Sequence, residues 1–171
     1  MNFFKIGLFV ASVIASTSSY AQSPLPEFST YLVPKNEVFK GTPAAVDLSN
    51  YEGANTYRTK LREGAKSGPN FAGHYTVVSF GCGTQCQDNW IIDAKSGKIL
   101  YRFSSVLGTQ YHLDSSLLII NPADLDMKRG YEEHPEQPLL GDLETFYEVW
   151  KNNKFNVIHK DKWVNVIKTL P

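Results

Sequence analysis

Of the 171 residues only two are cysteine, basic and acidic residues balance at 17 each, and no apolar run reaches membrane-spanning length. Each scarcity excludes something. The even charge removes the electrostatic case for nucleic acid, which calls for a basic patch or stripe. The densest basic stretches, KNNK and HKDK, are four residues each and read as solvated turns. No segment approaches the roughly 20 apolar residues of a membrane helix. The two cysteines and four histidines (His74, His112, His134, His159) lie at no recognisable metal-ligand spacing. No G-x-S-x-G elbow offers a nucleophilic serine. The sequence therefore assigns no catalytic residue, no metal and no cofactor.

What is present begins with an export signal. Lys5 supplies a positive n-region, Ile6 to Ile14 an apolar h-region, and Ser19-Tyr20-Ala21 a small-x-small cleavage site. Cleavage is expected near Ala21, leaving a chain that starts at Gln22. Because residue 22 is not cysteine, a lipid anchor at that position has no acceptor. The expected location is periplasmic or secreted, where disulfides persist.

About 150 residues then remain, the size of one domain with a full core. Residues 22–50 carry Pro24, Pro26, Pro34 and Pro43, which break regular elements, and read as an extended strap. Residues 51–171 read as a single α+β domain. Tyr57, Leu61 and Ala65 fall at helical spacing in NTYRTKLREGAKSG, with Asn55 as candidate N-cap and Gly68-Pro69 as stop. Arg58 and Arg62 lie on a neighbouring face of that helix, placed to grip a carboxylate but of a type that is mostly solvated.

Beyond Pro69 come HYTVVSF, NWIID, KILYRF, SLLIIN, TFYEVW and FNVIH, six short strand patterns. Lys95-Ser96-Gly97-Lys98 and Lys151-Asn152-Asn153-Lys154 read as tight hairpin turns. The expected fold is an antiparallel meander sheet of about six strands packed by one helix. The DAKSGK and LDSSLLIIN segments resemble propeller blades, but the strand-forming part makes only two four-stranded blades, too few for closure. Pro122 to Leu143 reads as a long loop, in which Glu132, Glu133 and Glu136 surround His134 without the pattern of a calcium loop.

The stretch NFAGHYTVVSFGCGTQCQDNWIID sets Cys82 and Cys86 between two strands. A thioredoxin-type redox motif has two intervening residues at a helix start, so this spacing argues against it. The oxidising compartment and the bend-permitting Gly81 and Gly83 favour a Cys82–Cys86 disulfide. Such a bridge shapes a loop at residues 81–88, where Gln85, Gln87 and Asp88 are candidate ligand-binding residues. His74 joins them if the loop folds back toward its strand.

Phe71-Ala72-Gly73-His74-Tyr75, then Gly81-Cys82-Gly83-Thr84-Gln85-Cys86, Trp90 and IIDAKSG together resemble a family of small exported bacterial proteins without an assigned activity. The match spans residues 70 to 98 and fades after Asn121. The resemblance implies export and a single structural unit containing both segments, and carries over no functional residue. Two functions stay open. One is an exported binding module that recognises a protein, peptide or glycan of the cell envelope through loop 81–88. The other is a small hydrolase-like or metal-dependent envelope enzyme using His74 near the Cys82–Cys86 loop.

Overall fold

The computed structural model describes residues 24–134 and 142–171. The chain is α+β, with seven antiparallel strands among the described residues, divided between two sheets. The first sheet holds β1 (Tyr75–Gly83), β2 (Cys86–Asp93) and β3 (Ile99–Ser105) in that order. The second holds β4 (Thr109–Tyr111), β5 (Leu117–Ile120), β6 (Glu144–Lys151) and β7 (Lys154–Lys162), also in order. Three helices accompany them: α1 (Arg58–Ala65), α2 (Leu125–Glu133) and α3 (Trp163–Thr169).

The meander is the expected one, but it breaks into two sheets between β3 and β4. Asn121, at the end of β5, makes the break. Its side-chain oxygen accepts hydrogen bonds from the backbone N–H groups of Val106 (2.8 Å) and Leu107 (3.1 Å), and its own N–H donates to the Gly108 carbonyl. One buried amide thereby holds a turn where strand pairing would otherwise continue. Elsewhere the hairpins follow the turn residues. Asn152 and Asn153 both take positive φ, 54° and 58°, as a two-residue turn matched to strand twist requires.

The layers explain the apolar runs. On one face of the first sheet Val78, Trp90 and Ile92 pack against Leu61 and Ala65 of α1 and Leu48 of the N-terminal strap. On the other face Val77 and Ile91 meet Leu118, Ile120 and Trp150 of the second sheet. The far face of the second sheet, with Leu117, Ile119 and Tyr147, is covered by Leu25, Phe28 and Tyr31. The strap thus serves both ends of the stack. Val33 N–H bonds to the Asp114 carbonyl, Phe39 N–H to Gly73, and Ala44 N–H to Ala94.

Helix α1 starts two residues later than Asn55 allows for a cap, with Tyr57 at the N-cap position. Residues Ala54–Tyr57 form a 3-10 turn first, and the Asn55 carbonyl accepts from the Arg58 side chain instead. Two helices arise where none was expected. α2 lies in the segment read as a loop; its N-cap Asp124 accepts from the Met127 N–H, but it buries no residue, so no apolar stripe marked it. α3 buries Trp163, Val166 and Ile167, a helical spacing at the end of the chain.

Residues 71–75 join the sheets. Ala72 and Gly73 both have positive φ, which turns the chain back so that Phe71 and Tyr75 exchange backbone hydrogen bonds. Gly73 N–H reaches the Leu113 carbonyl at 2.6 Å, beyond the end of β4. Phe71 is fully buried among rings from both sheets.

Candidate recognition site

Cys82 and Cys86 are bonded to each other, with Cα atoms 5.2 Å apart. The bridge closes the tip of the β1–β2 hairpin. Gly81 pairs with Gln87 and Gly83 with Cys86, so Cys82 is an extra residue bulged from the ladder. Thr84 and Gln85 form the turn, Gln85 at φ 53°. Every residue from Gly81 to Gln85 is exposed. A side chain placed on Gly81 or Gly83 would meet no atom within 4 Å, so the tip projects away from the rest of the molecule.

The expected site residues do not converge. Gln85 stands at the tip. Gln87 is exposed on β2, with its side-chain oxygen lying over Gly108 of the β3–β4 turn. Asp88 points inward instead: it is 1% exposed and accepts two hydrogen bonds from Arg102, 2.9 Å from Nε and 2.8 Å from the terminal nitrogen. It orders the base of the hairpin rather than facing a ligand. His74 precedes β1, and the eight residues from there to Cys82 span about 26 Å of extended chain. The register runs from Tyr75 opposite Asp93 to Gly83 opposite Cys86, which places His74 and the bridge at opposite ends of the hairpin.

Register also builds a feature that the sequence did not announce. Arg102 lies directly across from Trp90, and its guanidinium sits over the Trp90 ring at 4.7 Å and the Tyr57 ring at 5.2 Å. Tyr57 touches Phe80, and the Lys60 ammonium lies over Phe80 at 4.5 Å. A row of cations and rings from α1, the 3-10 turn before it and all three strands of the first sheet therefore runs to the foot of the tip. The hydrogen bond to Asp88 holds the Arg102 pKa above its ordinary value. Only cross-strand and helix-to-strand contacts assemble the row, so no local spacing could have signalled it.

His74 occupies a separate open cleft of about 260 Å3, lined among others by Pro34, Glu37, Tyr75, Trp150 and Lys151. Its nearest carboxylate, Asp93, is 4.0 Å from Nε2, too far for a hydrogen bond. Asp93 is committed to the turn, accepting from Lys95 N–H and the Ser96 hydroxyl. Burial lowers the His74 pKa, Lys95 adds to this, and Asp93 and Glu37 partly oppose it. With the folded value below the unfolded one of about 6.5, the histidine's contribution to stability is full above that pH and is lost as pH falls through the folded value. His74→Gln is expected to flatten the decline of the thermal midpoint below about pH 6.5. Parallel pH curves for variant and wild type would assign that decline to other groups.

Glu132 and Glu133 lie on α2 and are exposed, while Glu136 falls outside the described residues. Among the described residues no three His, Cys, Asp or Glu side chains are grouped to hold a metal ion. No helix among them is long and apolar enough to cross a membrane. The disulfide fits a non-cytoplasmic protein. The expected export signal, with cleavage near Ala21, lies outside the described residues. No family model, curated protein or solved structure matches the chain. Its activity must therefore be argued from this geometry.

Proposed function

We propose that this is an exported binding module of the cell envelope, and that it engages a partner protein through the disulfide-closed tip Gly81–Gln87 and the adjoining ring and cation row. The supporting observation is the projection of the tip. A bridge that served the core would be packed against it, whereas this one stands in solvent with an open surface around both glycines. Closing so short a loop stabilises by roughly 2 kcal/mol on the chain-entropy estimate, modest for a domain whose core extends through several layers. The larger effect is on the loop's freedom, because a rigid loop loses less entropy on binding. The enzymatic alternative at His74 lacks support, since among the described residues the one carboxylate near the imidazole, Asp93, stands 4.0 Å away and is committed to its turn.

Replacing both cysteines by serine tests the reading. The expected result is a fall of about 4 to 8 °C in the thermal midpoint with loss of most partner capture from an envelope extract. Equal capture by the folded double variant and the wild type would remove the tip from consideration.

A further inference from the structure

A second surface lies toward the opposite end of α1. The strap residues Pro43, Ala44, Ala45 and Val46 face Arg62, Ala65 and Lys66 across a cleft of about 510 Å3. That volume is within the range of ligand sites, roughly 300 to 1,000 Å3. The strap side is built from small apolar side chains, which leaves room for apolar side chains of a ligand. Ala44 N–H donates to Ala94 and Asp47 N–H to Gly97, so the strap is paired along residues 94–97. The N–H groups of Ala45 and Val46 have no hydrogen-bond partner among the described residues. Arg62 and Lys66 stand one helical turn apart, and neither has a carboxylate within ion-pair distance among the described residues. The acid nearest in sequence to the strap side, Asp47, is already held by the Ser49 N–H and hydroxyl.

We infer that this cleft binds the C-terminal end of an extended peptide with small apolar side chains, its free carboxylate held by Arg62 and Lys66. The cleft supplies the three features that such a ligand needs. An unpaired backbone N–H on the strap can donate to a carbonyl of a chain lying alongside. The apolar lining takes its side chains. A guanidinium offers a carboxylate two parallel hydrogen bonds, and the lysine adds a compact charge. Among the described residues no acidic side chain lines the cleft, so its charge is complementary to an anion brought from outside.

Fluorescence anisotropy of the peptide Gly-Ala-Val-Leu, labelled at its N-terminus, tests the inference. Three forms of the probe are compared: free carboxylate, C-terminal amide, and an amidated version ending in glutamate. The free acid is expected to bind at least about tenfold more tightly than the plain amide, and Arg62→Ala or Lys66→Ala to weaken it about tenfold. Arg62 is an exposed helix position and Lys66 the exposed C-cap of α1, and alanine at either preserves the helix, which circular dichroism checks. The Cys82→Ser/Cys86→Ser variant should bind the free acid as wild type does, so this site and the tip fail independently. Equal binding of acid and plain amide, or no effect of either α1 substitution, overturns the inference. Equal binding of the glutamate-ended amide also overturns it, because the cleft would then read any carboxylate rather than a chain end.

Discussion

Phe71→Ala is expected to lower the stability of the protein by about 3 to 5 kcal/mol, the cost of truncating a fully buried aromatic side chain. For a chain of this length that is a fall of roughly 6 to 20 °C in the thermal midpoint. Phe71 has no solvent exposure, and its ring contacts Tyr75 from the first sheet and Tyr111, Trp150 and Phe155 from the second, at centroid distances of 6.2 to 6.5 Å. Removing the ring leaves a cavity in the layer where the two sheets meet. The surrounding side chains belong to different elements and cannot all move inward together. A differential scanning calorimetry trace shifted by less than about 3 °C would mean that the sheets are held mainly by the strap.

The second large effect is expected at the base of the hairpin. Arg102→Ala removes the bidentate partner of Asp88 and leaves a carboxylate that is 1% exposed without its counter-charge. Breaking a buried pair from one side costs about 3 to 5 kcal/mol. The lower end applies here, because the Arg102 side chain is 37% exposed and water can enter where it was. The loss also uncovers Trp90, over which the guanidinium lies. Asp88→Asn/Arg102→Ala should recover a good part of the deficit, since the uncompensated charge rather than the missing contact dominates it. Chemical denaturation of the two variants gives the comparison. If the double variant is no more stable than Arg102→Ala, the guanidinium acts through packing on Trp90 and Tyr57 alone.

These two side chains mark where local sequence stops being informative. The disulfide was legible because its determinants are local: two cysteines four residues apart, glycines on either side of Cys82, and an oxidising compartment as the expected destination. The turns at Gly97 and Asn152-Asn153 were legible for the same reason, as positive φ selects glycine and asparagine wherever the chain reverses. The spacing of Leu61 and Ala65 likewise announced the buried face of α1.

The remainder depended on contacts between residues far apart in the chain. Trp90-Ile91-Ile92 and Leu117 to Ile120 are unbroken apolar runs because both faces of their strands are covered, and such runs carry no alternation to say which residue faces which layer. Asp88 read as a loop residue open to a ligand until the β2–β3 register placed Arg102 against it. His74 and the disulfide flank one hairpin, but only its register set them at opposite ends. The division into two sheets turned on Asn121, whose side chain reaches back about 15 residues to hold a turn. By itself the sequence determined the fold class, α1, most of the strands, the covalent bridge and the expected destination of this protein. The tertiary structure decided which side chains face solvent together, because burial and pairing depend on register and layer order, which no local pattern encodes.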